Sequence, residues 1–326
     1  MTYRLHVENS MKAPPFTRFN QDHIARAFAR HPDMASSVTV SIGCDGDILD
    51  TVLGEADFLI SSIPPKDKIA ATTRLRWLQT TAAGMDPLMP MTWLPKQVVL
   101  TNNSGPHAAK CEEYCLMALV ALRLRVPQYV GDQARHVWAP VYMQPIRGGT
   151  CLVVGYGDLG QAACRAAKTL GLAVRALSRT GNSHGQGDDV RKSDELEAHL
   201  SWADYVIVTA PLTDLTRNMM SRERLGMMKA GAGLVNVSRA ALVDYAALPD
   251  VVRSGHLSGA ILDVHSPEPL SPASPLWDTP NVMITPHISC DDPRYVDILL
   301  DEWVINFRRY QAGEPLRNIV DREQGY

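Results

Sequence analysis

Short apolar runs alternate with segments of helical periodicity along almost the whole chain. In the first hundred residues, the apolar runs predict five strands, at residues 3–7, 38–42, 58–63, 75–80 and 98–101. A second series predicts six more, at residues 151–155, 173–177, 205–209, 233–237, 260–264 and 282–285. Strands that alternate with helices are typical of parallel sheets. The pattern therefore predicts an α/β protein with two sheets.

Two longer helical patterns indicate where the domains divide. The first spans about residues 107–125, and the second begins at Asp291-Asp292-Pro293 and ends before Gly313. If the second helix returns the chain to the first sheet, the first domain is discontinuous. We expect both domains to be of α/β type, with the second inserted into the first, and its six strands are enough for one doubly wound sheet of the dinucleotide-binding type. Their expected bounds are residues 1–106 with 292–326, and residues 107–291.

One helical pattern contains a conflict. Residues 244–254 have helical periodicity, but Pro249 lies inside the pattern and lacks a backbone donor. This helix is expected to be kinked or to begin later than its periodicity suggests.

Composition narrows the class of function. The chain has 326 residues, 45 % of them hydrophobic, with a formal net charge of −3. Such a balance gives no basic surface for nucleic acid or an anionic membrane, and favours a small-molecule partner. The chain lacks a long apolar span and a signal-peptide pattern at its start, so we expect a cytoplasmic protein. Its six cysteines show no paired metal spacing, so no metal is expected.

A glycine-rich turn follows the strand at residues 151–154. It consists of Gly155, Tyr156, Gly157, Asp158, Leu159 and Gly160. Between a strand and a helix, such glycines permit a tight turn, close backbone approach to a pyrophosphate and tight helix packing. The helix N-terminus then offers N–H groups to the phosphates. The sequence therefore predicts a dinucleotide site.

The next strand ends in Ser178-Arg179-Thr180. An NAD-binding protein usually has an acidic residue here for the ribose hydroxyls. A guanidinium and two hydroxyls instead suit a 2′-phosphate, so NADP is favoured over NAD. The alternative is that Arg179 is a solvated strand-end residue, and that the protein either does not discriminate between the two cofactors or prefers NAD.

Three polar residues follow later strands of the second series. Arg239 follows the strand at 233–237, Glu268 lies in a proline-flanked loop after 260–264, and His287 follows Thr285-Pro286. Ligands of open α/β sheets bind at such strand ends. Each residue alone is typical of a surface cation, a solvated acid or a structural histidine, but together they suggest a catalytic set.

Several motifs occur in an order that resembles the D-isomer-specific 2-hydroxyacid dehydrogenase family, which includes glyoxylate/hydroxypyruvate reductases. The resemblance covers nearly the whole chain, and it implies that a Rossmann-type NAD(P)-binding domain, a doubly wound parallel sheet, is inserted into a flavodoxin-like α/β substrate domain. Its motifs are Ala83-Gly84-Met85-Asp86, Glu112-Glu113-Tyr114, the glycine-rich turn, Ala210-Pro211-Leu212-Thr213, the Arg239 strand, Glu268-Pro269-Leu270, Pro275-Leu276-Trp277 and Thr285-Pro286-His287.

The resemblance implies an oxidoreductase that transfers a hydride between a nicotinamide and C2 of a small 2-keto or 2-hydroxy acid. It implies that Arg239 binds the substrate carboxylate and polarises the C2 carbonyl. His287 would be the acid/base, because an imidazole titrates near working pH. Glu268 would orient the ring and favour its protonated form.

The resemblance implies further roles. Asp263 resembles the acceptor for the nicotinamide carboxamide, although the alternative is that it caps the following turn. Ala83 and Gly84 resemble a loop whose backbone N–H groups bind the substrate carboxylate. Trp138 lies where some members present a tryptophan to a neighbouring subunit, although a packed core position is the alternative. A homodimer is implied. Other residues assigned to the cofactor site are Ala210, Pro211, Thr216, Val237 and Ser238.

Two questions stay open at this level. His107 and Lys110 lie in a segment that departs from the family pattern, and contribute either to substrate choice or only to the start of the helix. The alternative to an oxidoreductase is a corepressor or scaffold protein of the same fold that senses nicotinamide and has little turnover.

Overall fold

The apolar runs form the strands of two separate sheets in the computed structural model, which describes residues 2–183 and 188–326. The chain divides into two compact units, Met1–Pro106 with Asp292–Tyr326, and His107–Asp291. Every strand pair in both sheets is parallel. The predicted α/β class is confirmed.

The first unit contains a five-stranded sheet in the order β2-β1-β3-β4-β5, the flavodoxin-like order. Its strands are β1 (Tyr3–Asn9), β2 (Val38–Cys44), β3 (Phe58–Ser61), β4 (Trp77–Thr80) and β5 (Val99–Thr101). Its helices are α1 (Gln21–Arg30), α2 (Leu49–Val52), α3 (Lys66–Ala70) and α10 (Tyr295–Gln311).

Aromatic side chains attach α10 to this sheet. Trp303 of α10 stacks on Trp77 of β4, with ring centroids 5.2 Å apart, and Phe307 packs edge-on against Phe58 of β3. All four rings are buried. Large aromatic surfaces contribute strongly to a core, so the C-terminal helix belongs to the first unit.

The second unit contains a seven-stranded sheet in the order β12-β11-β10-β9-β6-β7-β8. Its strands are β6 (Thr150–Val154), β7 (Ala173–Ser178), β8 (Asp189–Lys192), β9 (Tyr205–Val208), β10 (Ala232–Asn236), β11 (Leu257–Leu262) and β12 (Val282–Ile284). Its helices are α4 (Ala108–Arg123), α5 (Val126–Ala134), α6 (Asp158–Thr169), α7 (Leu196–Leu200), α8 (Arg222–Met227) and α9 (Leu248–Arg253). Starting from the β8 edge, the first six strands follow the Rossmann order 3-2-1-4-5-6, with β6 as its first strand, and β12 is added at the opposite edge.

The prediction of six strands in this sheet was wrong, because β8 is a seventh. Its sequence, Asp189-Val190-Arg191-Lys192, is mostly polar and exposed. An edge strand pairs through its backbone on one side only and needs no apolar run. Hydrophobicity therefore gave no signal for it.

Helix boundaries differ from the predictions in three places. The helix predicted from Asp291 begins at Tyr295, and its N-cap residue, Arg294, makes no side-chain capping bond. The helix predicted to residue 125 ends at Arg123, because Arg125 adopts a left-handed backbone with a φ of 58°. Pro249 lies in the first turn of α9, so the later start is the correct alternative.

None of the described helices is long and apolar enough to cross a membrane.

Candidate active site

Three loops leave the same edge of the second unit's sheet. Arg239 follows β10, Glu268 follows β11 and His287 follows β12, and these three strands are neighbours. The carboxyl ends of parallel strands meet at one edge, where ligands of open α/β sheets bind. The sheet thus brings together the residues that the sequence singled out.

Glu268 and His287 form a hydrogen-bonded pair. The imidazole Nδ1 lies 2.8 Å from Oε2 of Glu268, and Oε1 accepts the backbone N–H of His265 at 2.8 Å. The side chains of His287 and Glu268 are 42 % and 38 % exposed, so a small molecule can reach them. With Nδ1 held by the carboxylate, Nε2 lies on the opposite side of the ring.

This pairing changes the acidity of both groups. The hydrogen bond that the imidazole donates to Glu268 raises the pKa of His287, and outweighs the opposing effects of burial and of the positive charge of Arg239. Burial acts to raise the pKa of Glu268, but the hydrogen bonds from His287 and from the His265 N–H outweigh it and lower that pKa. A proton shared by the pair therefore resides on the imidazole.

Arg239 is held mainly through its backbone. The side-chain amide of Asn236 donates to the Arg239 carbonyl at 3.0 Å and accepts the Ser238 N–H at 3.1 Å. The guanidinium Nη1 donates to the Ser238 carbonyl at 2.8 Å. Asn236 is completely buried, so its side chain holds the turn that carries Arg239 through hydrogen bonds that are shielded from water.

Asp263 fixes the loop that carries His287. Its carboxylate is fully buried. Oδ1 accepts the Thr285 hydroxyl at 2.6 Å and the Ile288 N–H at 2.9 Å, and Oδ2 accepts the Ser289 N–H at 2.8 Å. His287 between them has a φ of 56°, in the left-handed region. The role that the resemblance gave Asp263 lay with the cofactor, whereas these contacts show a structural role toward His287.

Two further side chains extend this network, and neither was assigned a role from the sequence. The Thr285 hydroxyl hydrogen is engaged by Asp263, so the Tyr114 hydroxyl, 2.6 Å away, is the donor to Thr285. The ring of His265 donates through Nε2 to the Thr285 carbonyl at 3.0 Å. His265 thereby links the loop of Glu268 to the loop of His287.

The glycine-rich turn has the steric features that a dinucleotide requires. A Cβ at Gly155 would lie 2.5 Å from the Ala210 nitrogen, and one at Gly160 would overlap the Gly155 carbonyl. A Cβ at Gly157 would meet no atom of the described residues within 4 Å. Two glycines are needed for packing, and the third faces open space at the N-terminus of α6. The turn therefore fits a pyrophosphate.

Tyr156 serves packing within this turn. The residue is buried, and its hydroxyl donates to Asp188, whose carboxylate also pairs with Lys168. Asp158 and Leu159 form the first turn of α6. The backbone N–H groups of the turn are thus the groups available to a phosphate.

The end of β7 carries the residues predicted for cofactor choice. Arg179 and Thr180 are exposed, and the Ser178 hydroxyl accepts the Gly181 N–H at 3.0 Å. Lys192 of β8 is the register partner of Ser178 and is also exposed. It is a second cation that sequence reasoning missed, because β8 had no apolar signal.

The loops after β9 and β10 contain the remaining residues assigned to the cofactor. The Ser238 hydroxyl donates to the Ala210 carbonyl, and the Thr216 hydroxyl donates to the Pro211 carbonyl at 2.6 Å. Val237 is buried. The Ser238 bond joins the two loops along the sheet edge that also carries Arg239, and the Thr216 bond lies within the loop after β9.

Ala83 and Gly84 lie in the first unit, in the loop after β4. The Asn102 side chain donates to the Ala83 carbonyl at 2.9 Å, and the Asn103 N–H donates to the Ala82 carbonyl at 3.0 Å. The loop is therefore held by the residues that follow β5, at the carboxyl edge of that sheet.

The segment before α4 favours a structural role for Lys110. Its ammonium is exposed and lies 3.2 Å from Glu113, one turn along the helix. His107 hydrogen-bonds the Cys290 carbonyl at 3.3 Å, and burial lowers its pKa. His107 is thus tied to the chain just after His287, while Lys110 faces solvent.

Trp138 is 96 % exposed, and Tyr142 close by is 92 % exposed. Both lie between α5 and β6 in a segment without regular structure. The alternative that Trp138 packs in the core of its own chain was wrong.

Comparison with known proteins identifies the family. Residues 116–289 match the family model for the NAD-binding domain of D-isomer specific 2-hydroxyacid dehydrogenases. The chain belongs to this family. A crystal structure of a D-isomer specific 2-hydroxyacid dehydrogenase from Xanthobacter autotrophicus Py2, in complex with NADPH and MES, is similar over the full length of both chains. The two share 31 % identity, with a TM-score of 0.85.

Named relatives belong to the same class of enzyme. The chain is 28 % identical over 291 residues to a glycerate dehydrogenase of Methylorubrum extorquens, covering 84 % of this chain and 88 % of the relative. It is 26 % identical over 278 residues to glyoxylate/hydroxypyruvate reductase A of Yersinia enterocolitica, covering 83 % and 88 %. The resemblance seen in the sequence is confirmed, and with it an oxidoreductase of the 2-hydroxyacid dehydrogenase type with a nicotinamide-binding Rossmann domain.

Proposed function

We propose that this enzyme is an NADP-preferring reductase of a small 2-keto acid, of the glyoxylate or hydroxypyruvate type. The observation that carries the proposal is the hydrogen-bonded Glu268–His287 pair, on the loops next to the Arg239 turn. A cation, a protonatable imidazole and an orienting carboxylate are the groups that carbonyl reduction requires.

Arg239 is the proposed substrate-binding residue. A guanidinium presents a planar fork that matches a carboxylate and can also polarise the adjacent carbonyl oxygen. Arg239 and His287 follow β10 and β12, which flank β11 in the sheet, and the positive charge of Arg239 acts to lower the pKa of His287. Ala83 and Gly84 are retained as proposed contacts of the substrate carboxylate.

His287 is the proposed proton donor in reduction and the acceptor in oxidation. When bound, a reduced nicotinamide supplies the hydride to C2. His287 protonates the developing alkoxide through Nε2, because Nδ1 is held by Glu268. Glu268 keeps the ring oriented and favours the imidazolium, without itself contacting substrate.

The function is tested with a panel of 2-keto acids, assayed with NADPH and with NADH. Wild-type protein is expected to reduce glyoxylate or hydroxypyruvate. His287→Ala is expected to lower kcat by at least about tenfold, since general acid catalysis contributes that much or more. His287 is half-exposed, so the variant should retain the thermal stability of the wild type, measured by circular dichroism.

Two outcomes contradict this proposal. Near-normal turnover by folded His287→Ala would remove His287 from the chemistry. No turnover of any keto acid by the wild type, with tight NADPH binding retained, would favour the nicotinamide-sensing scaffold instead.

The pH dependence follows from the raised pKa of His287. Reduction requires the imidazolium, so kcat/KM for the keto acid should fall as pH rises through that pKa. Glu268→Gln removes the negative charge that raises it. The alkaline limb of the profile is therefore expected at lower pH in this variant.

The matched control for this profile is Glu223→Gln, which changes an exposed carboxylate in the first turn of α8. Its profile should coincide with that of the wild type. An alkaline limb that stays in place in Glu268→Gln would show that Glu268 does not set the proton affinity of His287.

The NADP preference is proposed from the charges at the end of β7. Arg179, with Lys192 as a neighbouring cation on β8, offers two positive charges where NAD-binding proteins usually have an acid. Ser178 and Thr180 add hydroxyls. Such a set suits the dianionic 2′-phosphate, and the solved relative from Xanthobacter autotrophicus Py2 is described as a complex with NADPH.

Arg179→Asp tests this preference. Loss of a charge-assisted hydrogen bond and repulsion by the new carboxylate should lower the NADPH-to-NADH ratio of kcat/KM by about tenfold or more. Arg222→Asp, which changes an exposed arginine paired with Asp250, is the control for altered net charge. An unchanged ratio in Arg179→Asp would refute the assignment.

The remaining cofactor contacts are proposals on the same basis. The backbone of the glycine-rich turn would hold the pyrophosphate, and Asp263 retains its proposed role toward the nicotinamide carboxamide beside its contacts to the 285–289 segment. Other residues proposed to line the cofactor site are Ala210, Pro211, Thr216, Val237 and Ser238.

The proposed assembly is a homodimer that covers the exposed segment around Trp138 and Tyr142. Large apolar side chains grouped on a surface are typical of protein interfaces. Sedimentation velocity of the purified chain is expected to give the mass of a dimer, and a monomer at micromolar concentration would contradict this assembly.

A further inference from the structure

Tyr245 lies outside the catalytic set, between the loop of Arg239 and the loop of Glu268. It belongs to the stretch between the Arg239 turn and α9. Its hydroxyl accepts a hydrogen bond from the Asn236 side-chain amide at 2.9 Å and donates one to the Val264 carbonyl at 3.0 Å. Burial raises the pKa of Tyr245, so the phenol keeps the proton that it donates.

The Asn236 amide connects this hydroxyl to Arg239. One N–H of Asn236 donates to Tyr245, and the other donates to the Arg239 carbonyl at 3.0 Å. Its oxygen accepts the Ser238 N–H. The amide therefore has both donors and its acceptor engaged while completely buried, which leaves it one orientation.

The Val264 carbonyl belongs to the other loop. Val264 precedes His265, whose backbone N–H donates to Glu268 and whose ring donates to the Thr285 carbonyl. A continuous path of hydrogen bonds and short backbone links therefore joins Arg239, through Asn236 and Tyr245, to the segment that holds the Glu268–His287 pair.

We propose that Tyr245 is a positioning residue whose hydroxyl sets Arg239 relative to the Glu268–His287 pair. The inference rests on the proposed function, in which Arg239 and His287 act on one substrate molecule. Backbone pairing joins the ends of β10 and β11 as far as the Asp263 N–H, which donates to the Asn236 carbonyl at 3.0 Å, but it does not extend to the Arg239 turn or the Glu268 loop. The Tyr245 hydroxyl connects these two segments. It bonds the Asn236 amide, which in turn bonds the Arg239 carbonyl, and it donates directly to the Val264 carbonyl at the start of the Glu268 loop.

Removal of this hydroxyl leaves two buried groups without a partner. In Tyr245→Phe, one N–H of Asn236 and the Val264 carbonyl lose their hydrogen bonds, and unsatisfied buried groups are costly. The loops can regain partners only by shifting. Arg239 should then be displaced relative to His287, while the Glu268–His287 bond keeps its own supports at His265 and Asp263.

The test compares the full-length wild type with Tyr245→Phe in three measurements at 25 °C. We expect kcat/KM for the keto acid to fall by about tenfold, with the alkaline limb of its pH profile unmoved. The affinity for NADPH, followed by fluorescence, should stay the same. The Kd of oxamate, an unreactive analogue of a 2-keto acid, should rise by about tenfold for the NADPH complex.

Tyr310→Phe is the matched control, because it removes a tyrosine hydroxyl from the first unit's core and should leave all three values unchanged. A role in stability alone would lower the melting temperature of Tyr245→Phe without changing kcat/KM or the oxamate Kd, and would overturn the proposal. So would a shift of the alkaline limb without weaker oxamate binding.

Oxamate separates this proposal from the proposed function, since its binding needs no turnover. A wild type that binds oxamate but reduces no keto acid would contradict the reductase function. The rise in oxamate Kd in Tyr245→Phe would still support positioning of Arg239. Equal oxamate affinity in both proteins, or no binding to the wild type, would overturn the positioning role.

Discussion

The buried carboxylate of Asp263 is the contact on which the geometry of the candidate site depends. A charged group removed from water is costly unless donors replace its hydration, and three donors from residues 285–289 do so here. The same bonds hold His287 in a left-handed backbone conformation, which is uncommon for a residue with a Cβ. The need to satisfy the carboxylate thus stabilises a backbone conformation that would otherwise be unfavourable, and this presents the imidazole to Glu268.

The sheet and the polar network fix different properties of the site. Three neighbouring parallel strands end at one edge, which brings Arg239, Glu268 and His287 into one region. Loops that merely start close together still have many conformations. His265 joins the second loop to the third, and Tyr245 joins the first to the second. Strand order therefore sets which residues meet, and buried hydrogen bonds set how they are oriented.

This division explains what could be predicted from the sequence. Buried strands such as β6 and β9 are apolar on both faces and therefore stand out, whereas the polar edge strand β8, with Lys192, does not. Arg239, Glu268 and His287, the residues of the proposed catalytic set, were singled out by their position after strands and by their motifs. The contacts of Tyr245 reach partners 9 and 19 residues away through loop conformations that no periodicity encodes. Moreover, the helical pattern over 244–254 placed Tyr245 inside a helix, and Pro249 was the one residue of that pattern that indicated a later start of the helix.

The electrostatics of His287 connect substrate binding to proton uptake. Glu268 raises the pKa of His287, while the charge of Arg239 opposes it. In the proposed function, a substrate carboxylate pairs with Arg239 and offsets much of that positive charge. The opposing influence then weakens, so the imidazolium is favoured further when substrate is bound. Because linkage is reciprocal, protonated His287 in turn favours an anionic substrate. On this proposal, a 2-keto acid binds best to the protonation state that can complete its reduction, while a neutral carbonyl compound lacks this advantage.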